Sequence, residues 1–466
     1  MEIGWLTRLA LYCVISTLIG PFYDNWTTLE KWLYREGAYI DSCKDVPDVY
    51  PFPETWYCAE QQSKVSGLLP ISRIAECSMS VFIGIFMDFF GPRITAVFGT
   101  ILRIIGWTLM SFAVHAPGGL VISFLLMGLT TNFIVFPCLT IGMYTRKYRH
   151  IAVLLIGMCS CFASMMMKVK LIVLQTGVLT AKQVNYLYTI VFMLPCLGAS
   201  ILFMPDRLKE VDDEPEPMES VTTKKELDKA ESSIDAPKMD NGDMVDIKSD
   251  TTSPITEVDP GSKWTLRGYI EVLSTKEVFV CLWYFAFNFS SITYVQQTYG
   301  LVHRDDAFLL ELNEYMIPLG IIPCLIFAVL YMYIEPIYIL IFMNTMGILM
   351  HLFVMASGRV IGILLSFSLV MTYSILNTQV YNYLERLFHE TYLGSIVGAL
   401  NGMCGIWMLI QMFVLQHKTS PSEINVVTGI MALLRGLFLL PFFYFIYDAR
   451  KRRKTAEKID SVVDSA

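Results

Sequence analysis

The sequence predicts an all-α membrane protein of twelve transmembrane helices in two six-helix halves. Composition and the spacing of apolar runs carry this prediction. Of the 466 residues, 54% are hydrophobic and 17% are charged, whereas an ordinary soluble domain has about 25% charged residues. Twelve apolar runs approach the length of about 20 residues that a spanning helix needs. A soluble enzyme with a polar surface is therefore excluded, as is disorder over most of the chain.

The first six runs define an N-terminal half, residues 1–205. Residues 23–66 are polar and are expected to form an outer loop between the first two runs. The first run lacks a small-residue cleavage site, so we expect it to remain as a helix. The six runs lie near residues 5–22, 67–87, 94–115, 118–143, 151–174 and 186–204.

The composition changes abruptly after the sixth run. Residues 206–263 contain 17 acidic and 8 basic residues, a net charge of −9 in a chain whose total is −7. Such a segment buries too little apolar surface to offset its ordering entropy. It predicts a disordered acidic linker, whose charge says nothing about a basic ligand.

Six more runs define a C-terminal half, residues 264–449. A basic segment, residues 450–466, follows and is expected to lie against anionic lipid as a cytoplasmic tail. The runs lie near residues 278–299, 314–333, 336–356, 360–384, 392–415 and 426–447.

Basic residues in the short loops predict the orientation. Arg93 follows the second run, Lys147 lies in a basic group after the fourth, and residues 450–454 follow the last. Both termini and the linker are therefore expected in the cytoplasm, with the loop 23–66 outside. That loop holds Cys43 and Cys58, the two cysteines clearly off the helices. A disulfide between them would contribute about 3 kcal/mol; two unpaired thiols are the alternative.

The two halves share a weak internal repeat. A shift of 245 residues places Gly157-Met158-Cys159 on Gly402-Met403-Cys404, and Asn132 on Asn377. Together with the six-plus-six layout, this match indicates a duplicated half. Transporters with this plan place the substrate near the membrane midplane between the halves.

The loop after the second run carries a family motif. Gly84, Asp88, Gly91 and Arg93 resemble the Gly-x-x-x-Asp-x-x-Gly-x-Arg signature of the major facilitator superfamily, although Phe89 stands where a basic residue is common. The resemblance implies the major facilitator fold, alternating access and a gating role for these four residues. Segments 26–32, 269–279 and 388–398 resemble, more narrowly, the L-type facilitative amino-acid transporters and the related apicomplexan amino-acid transporters.

Polar groups within the membrane are costly and therefore candidates for function. In the superfamily, helices 1, 4, 7 and 10 line the central cavity. Amides, hydroxyls and rings on these runs suit a zwitterion with an apolar or aromatic side chain, and a nearby arginine could hold its carboxylate. The candidate substrate-binding residues are Ser16, Thr17, Arg103, Thr131, Asn132, Phe287, Asn288, Ser291, Tyr373, Asn377 and Tyr381. The alternative is that these groups only hydrogen-bond between helices.

The remaining intramembrane charges predict the mechanism. Arg73 and Glu76, three residues apart, are expected to pair, and Lys168 and Lys170 to extend to the membrane interface. The cavity candidates include no carboxylate. This favours facilitated diffusion or exchange over proton symport, unless Glu76 carries the proton, and it disfavours cationic substrates.

These observations predict an amino-acid transporter of the plasma membrane, with large neutral or aromatic amino acids as substrates. The expected partners are that small molecule and the lipid bilayer. Neither catalytic residues, nor a metal site, cofactor motif or nucleic-acid surface is recognised. Two alternatives stay open, because a fold does not determine its function. One is a carrier of a sugar, nucleoside, organic anion or cationic amino acid, and the other is a nutrient sensor that does not transport.

Overall fold

The protein is described here by a computed structural model, and its architecture is almost entirely helical. The structure describes residues 4–43, 50–52, 55–113, 116–144, 149–206, 266–376, 378–385, 387, 390–415 and 420–463. The predicted linker 206–263 lies outside these residues except for Asp206.

Nine α-helices precede the linker in the part of the chain that the structure describes. They are α1 (Trp5–Ile19), α2 (Trp26–Arg35), α3 (Ala59–Ser66), α4 (Leu68–Ala113), α5 (Pro117–Leu139), α6 (Arg149–Phe162), α7 (Ser164–Gln175), α8 (Ala181–Tyr188) and α9 (Leu194–Phe203). Helix α4 comprises two spans that meet at Gly91, where φ is 83°. Residues with a side chain rarely adopt a positive φ, whereas glycine adopts it freely. Gly91 therefore allows the chain to reverse its direction there.

Nine helices also follow the linker among the residues that the structure describes. They are α10 (Leu266–Leu273), α11 (Lys276–Val302), α12 (Ala307–Met316), α13 (Ile321–Tyr333), α14 (Pro336–Val354), α15 (Arg359–Ser374), α16 (Thr378–Glu385), α17 (Glu390–Leu415) and α18 (Pro421–Val463). Helix α18 continues through the predicted tail as far as Val463, so most of the basic segment extends the last helix.

Ten stretches of helix in the described parts are long and apolar enough to cross a membrane. The pair α15 and α16, bent by 51°, would make an eleventh. Helix α1 is apolar but has 15 residues, about 22 Å at 1.5 Å per residue, which is shorter than the hydrocarbon core.

The predicted outer loop 23–66 differs from the structure at both ends. Trp26–Arg35 is a buried helix, and Ala59–Ser66 is a helix that leads into the second span. Between these two helices, the described residues include a short 3-10 helix, Ile40–Cys43, and a hairpin of β1 (Tyr50–Phe52) and β2 (Thr55–Tyr57). A disulfide joins Cys43 to Cys58 across it, with Cα atoms 5.7 Å apart. The loop is shorter than predicted, because the polar residues of α2 face the protein interior instead of water.

The two groups of helices pack closely against each other. Helix α4 packs along α17, where the Cys77 and Cys404 thiols lie 3.3 Å apart. Helix α7 meets α12, and α6 meets α13, on the other side of the molecule. The residues between these contacts are therefore enclosed by helices from both groups.

Candidate functional site

A break in the first helix places polar groups inside the protein. Helix α1 ends at Ile19, Pro21 interrupts the hydrogen-bond ladder, and a short 3-10 turn over Phe22–Asp24 leads into α2. Tyr23 and Asp24 in this turn are 0% and 2% exposed. A carboxylate this deeply buried requires a charged or hydrogen-bonded partner.

Arg73 of α4 supplies that partner. Its guanidinium lies 2.5 Å from Asp24 Oδ1 and 2.9 Å from Glu76 Oε2, and all three side chains are buried. The Arg73–Glu76 pair is the one expected from the sequence. The rings of Tyr23 and Phe289 lie 5.0 and 5.1 Å from the guanidinium carbon, within the range of cation–π attraction.

The second half contributes to the same site. Tyr373 of α15 donates its hydroxyl proton to Asp24 Oδ2. Gln296 of α11 donates from Nε2 to the Asp24 carbonyl oxygen at 3.2 Å. Asp24 therefore holds groups from both halves of the chain, which is the position expected of a substrate site between them.

Tyr23 and Thr131 extend the network towards α5 and the second span of α4. The Tyr23 hydroxyl donates to Glu76 Oε2 at 3.0 Å and is hydrogen-bonded to Thr131 Oγ1 at 2.9 Å. Arg103 donates to Thr131 Oγ1 at 3.2 Å and to the Met127 carbonyl oxygen at 3.1 Å. We define the central cluster by the side chains that this network joins: Tyr23, Asp24, Arg73, Glu76, Arg103, Thr131, Gln296 and Tyr373.

The central cluster has the chemistry to bind a zwitterion. Its carboxylates accept hydrogen bonds from an ammonium group, and its guanidinium groups donate to a carboxylate in two-pronged geometry. Phe289 and the tyrosine rings supply apolar surface beside them. Burial strengthens each of these interactions relative to water.

Three of the predicted substrate-binding residues lie in the central cluster, namely Arg103, Thr131 and Tyr373. Asn132 lies beside it, but its amide nitrogen donates to the Glu76 carbonyl oxygen at 2.8 Å and to Ser80 Oγ at 2.7 Å. The amide donor thus joins α5 to α4, as the helix-packing alternative expects.

Other predicted residues lie elsewhere. Phe287 packs against Trp407 and Phe438. Ser291 Oγ accepts from Arg435 Nη2 at 2.5 Å, and the Asn288 carbonyl oxygen accepts from it at 3.4 Å.

Two candidates on α1, Ser16 and Thr17, approach the Cys138 and Cys159 thiols. Asn377 and the side chain of Tyr381 lie outside the described residues. The symmetric pairing of Asn132 with Asn377 therefore stays a prediction.

Sequence reasoning missed Asp24, Tyr23 and Gln296. The absence of a carboxylate from the cavity was a wrong premise, because Asp24 was assigned to the outer loop. A signal was present in Trp26, Leu29 and Leu33, which recur at the spacing of a helix. Those apolar residues are buried in α2.

The interpretation of two lysines on α7 is also corrected. Lys168 is buried and pairs with Glu314 of α12, and its ammonium lies 4.5 Å from the centre of the Tyr315 ring. Lys170 is buried with its ammonium 3.5 Å from the centre of the Trp107 ring. Neither side chain reaches outward, since protein groups inside the fold hold both ammonium groups.

The four residues of the sequence motif lie at the turn within α4. Arg93 donates to the Met204 carbonyl oxygen at 2.8 Å and pairs with Asp206 at 2.6 Å. Gly91 makes the turn, and Gly84 lies one to two helical turns before it. The side chain of Asp88 lies outside the described residues. In this structure Arg93 thus joins the turn to the end of α9, and its role in gating stays a prediction.

A small surface cavity of about 190 Å³ lies where α11, α12 and α15 meet, lined in part by His303, Asp306 and Arg359. The ion pair with Arg359, at 2.9 Å, lowers the pKa of Asp306 below its usual value. Burial lowers the pKa of the His303 imidazole. These groups line the surface cavity and do not belong to the central cluster.

Comparison with known proteins agrees with this architecture. The sequence profile of the Major Facilitator Superfamily matches residues 65–412. Relatives include Arginine transporter 1 of Toxoplasma gondii, 25% identical over 97% of this chain and 90% of its own. Cationic amino acid transporter 8 of Plasmodium berghei is 23% identical over 98% and 91%. Aromatic and large neutral amino acid transporter 5-3 of Toxoplasma gondii is 25% identical over 86% and 76%.

Solved structures share the fold at low sequence identity. The POT family transporter PepTSo superposes with a TM-score of 0.60 at 12% identity, over 97% of this chain and 99% of its own. The nucleoside transporter NupG superposes with a TM-score of 0.56 at 12% identity, over 94% and 99%. With the helical architecture and the profile match, these findings identify a multi-pass integral membrane protein, and the chain belongs to the Major Facilitator Superfamily.

Proposed function

We propose that this protein transports amino acids across the plasma membrane by alternating access. The observation that carries the proposal is Asp24, a buried carboxylate held by Arg73 of one half and Tyr373 of the other. A site with carboxylate and guanidinium groups matches the two charges of an amino acid. The names of the three relatives point to the same class of substrate.

The groups of the central cluster have distinct roles in this mechanism. The α-ammonium of the substrate replaces Tyr373 as a donor to Asp24. The α-carboxylate of the substrate binds the guanidinium of Arg103. The Arg103 hydrogen bonds go to Thr131 and a carbonyl oxygen, whereas Arg73 is already paired with two carboxylates. Tyr373 then leaves Asp24 as the halves rock, and the site becomes accessible from one side at a time.

We propose twelve membrane crossings, with both termini and the linker in the cytoplasm. Helices α1 and α2 together form the first crossing, broken at Asp24. The bent pair α15 and α16 forms the tenth. Non-helical backbone within a membrane is tolerated where it is buried in protein or lines a cavity, and the turn at Phe22–Asp24 is buried.

The proposed substrates are large neutral or aromatic amino acids. The rings of Tyr23, Phe289 and Tyr373 surround the charged groups, and aromatic pairs gain free energy beyond the area that they bury. Asp24 and Glu76 already face Arg73, so they do not leave an unpaired negative charge for a cationic side chain.

Cationic amino acids are the second candidate. Among the described residues, four carboxylates are buried, those of Asp24, Glu30, Glu76 and Glu314. Two relatives are named for arginine or cationic amino acids. This finding removes the argument from missing carboxylates. It likewise removes the sequence argument against proton coupling. We still propose facilitated diffusion or exchange, because Asp24 and Glu76 are both paired with Arg73.

Uptake of a labelled amino-acid panel into oocytes tests the proposal. We expect saturable uptake of tyrosine, phenylalanine or leucine that does not change between external pH 5.5 and 7.5 and that rises when the oocyte is preloaded with substrate. Saturable uptake of arginine or lysine alone would select the second candidate. Uptake driven by an inward proton gradient would replace facilitated exchange by symport. Protein at the surface with no amino-acid uptake would contradict the proposed function.

A further inference from the structure

A second buried charge cluster joins the halves at the end where α11 passes into α12. Glu314 of α12 is fully buried and pairs with Lys168 of α7 and Lys31 of α2. The central cluster does not include these groups. A carboxylate that belongs to one half is thus held by two ammonium groups of the other.

Hydrogen bonds around this carboxylate join the same elements. Asn25 donates from Nδ2 to the Glu314 carbonyl oxygen at 2.8 Å, and Asn313 donates to Thr27 Oγ1 at 2.9 Å. Both bonds connect the N-terminal part of α2 with α12. These contacts lie next to Asp24, because Asn25 follows Asp24 directly in the chain.

Lys168 depends on α12 for its contacts. In the part of the chain that the structure describes, its ammonium pairs with Glu314 and faces the ring of Tyr315, both on α12. When α12 moves away with its half, Lys168 loses both contacts while its stem stays among the helices of the first half. A buried ammonium without a partner is costly, so the open arrangement favours binding of another carboxylate at the same position.

We infer that Glu314 occupies the position at which Lys168 receives the carboxylate of an arriving substrate. The inference rests on the proposed function and adds a first binding step to it. An amino acid entering from this end displaces Glu314 from Lys168, which separates α12 from α7, and then moves to Arg103 and Asp24. Glu314 thereby competes with free substrate, and the closed state returns when the substrate has passed.

Two variants test this step, because the inference predicts that they change the KM for uptake in opposite directions. Lys168→Gln removes the receiving ammonium, so we expect the KM for uptake from this side to rise about 5-fold or more. Glu314→Gln removes the competing carboxylate, so the KM is expected to fall by a similar factor. The measurement is zero-trans uptake of labelled tyrosine or arginine, whichever the wild type takes up, at matched surface level. Lys182→Gln, at an exposed lysine of α8, is the control and should leave KM unchanged.

The matching amine without a carboxylate, tyramine or agmatine, separates this role from that of a simple contact between halves. Its inhibition constant should change less than about 2-fold in both variants, well below the coupling expected for the substrate. A simple contact would move KM in the same direction in both variants, and would move the amine's inhibition constant with it. Either result overturns the inference.

A charge-reversed pair keeps the test valid if a single variant does not reach the membrane. Lys168→Glu combined with Glu314→Lys retains an ion pair across the halves, but it places a carboxylate where substrate is received. Surface expression with a raised KM supports the inference, and a wild-type KM overturns it. Normal amino-acid uptake with KM unchanged in all variants overturns only this inference. A wild type that takes up no amino acid overturns the proposed function as well.

Discussion

The Asp24 carboxylate and the Arg73 guanidinium are retained at a high desolvation cost. Moving each ion from water into a protein interior costs several kcal/mol even after relaxation, and an apolar replacement of such a pair is often neutral or stabilising. Arg73 offsets part of this cost through Glu76 and two aromatic rings. The pair is therefore better explained by substrate binding and by contact between the halves than by fold stability.

Asp24→Asn is the most informative single change at the central cluster. It removes the charge opposite Arg73 but keeps the size of the side chain. The buried Arg73 guanidinium is then paired with one carboxylate, that of Glu76, instead of two. We expect uptake to fall at least about 10-fold. The free energy of unfolding should decrease by about 1.5–3 kcal/mol, the contribution of a hydrogen bond to a charged group, because Glu76 still pairs with Arg73. Initial rates at equal surface level measure the first effect, and thermal unfolding in detergent the second.

Tyr373→Phe is the matched control for that prediction. It removes only the hydroxyl that donates to Asp24, at a cost of about 1–3 kcal/mol for the acceptor left behind, and it keeps the Arg73 ion pair. Transport that survives Asp24→Asn unchanged would show that the carboxylate does not contact substrate.

Asn132 distinguishes binding from packing. Its amide nitrogen donates to two acceptors on α4, so Asn132→Ala removes two hydrogen bonds between α5 and α4, while the Ser80 hydroxyl still donates to the Glu76 carbonyl oxygen. We expect a loss of about 1–3 kcal/mol in stability and an unchanged KM in the protein that reaches the membrane. A raised KM without loss of thermal stability would instead support the substrate contact predicted from the sequence.

At this scale the sequence identified polar side chains better than their partners. Thr131, Arg103 and Tyr373 were predicted because a polar group inside an apolar run is costly wherever it lies. Asp24 was not, because its neighbours Tyr23, Asn25 and Trp26 lower the apolar average of the window. Its partner Arg73 lies 49 residues away, and no local pattern reports that distance.

At the scale of elements, close helix packing depends on small residues. A Cβ atom added at Gly128 of α5 would lie 2.0 Å from the Ser72 carbonyl oxygen of α4, whereas one added at Gly198 of α9 meets nothing within 4 Å. Backbone atoms at Ser72 have little freedom to yield, so α4 and α5 approach closely only because position 128 has no side chain. Small residues serve this purpose in membrane helices generally.

Gly128→Ala should therefore separate α4 from α5. Overpacking of this kind costs about 1–3 kcal/mol, and it moves Arg73 and Thr131 apart, since they lie on the two helices. We expect a lower melting temperature and reduced uptake, compared with little change in Gly198→Ala. The comparison is made by thermal unfolding and uptake of both variants. An equal melting temperature in the two would mean that the helices adjust at no cost.

The element scale is also where the sequence prediction was most accurate, with one systematic failure. Long apolar runs predicted the spans because each needs enough apolar residues to cross hydrocarbon. Helix α2 was not predicted, because its polar residues lower the apolar average. They hydrogen-bond inside the protein: Thr27 with Asn313, and Glu30 with Tyr34. Apolar averages detect contact with lipid, and α2 contacts protein.

At the scale of the whole molecule, the halves are joined by contacts on two sides. Lys168 and Glu314 join them where α7 meets α12, and Cys77 and Cys404 touch where α4 meets α17. The six-plus-six arrangement was predicted from the acidic segment between the runs. The sequence did not predict which helices of the two halves face one another, because packing between the halves depends on the shapes of residues that are far apart in the chain.

Alternating access requires the α4–α17 contact to change, and the two thiols there provide a test. Cys77 and Cys404 are buried, with sulfur atoms 3.3 Å apart, and a disulfide requires an approach to about 2.05 Å. A membrane-permeant oxidant such as diamide would form this bond, taking up the two thiol hydrogens. We expect uptake to fall towards background and to recover with a mild reductant, because a covalent bond prevents the halves from separating here.

The control variants are Cys77→Ser and Cys404→Ser. Each leaves one thiol of this pair and keeps the Cys43–Cys58 disulfide. Their uptake should be insensitive to the oxidant, which excludes effects through the other cysteines. A protease site introduced into the linker 206–263 shows the cross-link directly, since the two halves then migrate together until reduced. If the halves are cross-linked and uptake continues at the wild-type rate, then α4 and α17 stay in contact throughout the cycle. Rocking about a central site would then be wrong as the mechanism, even if amino acids are the substrates.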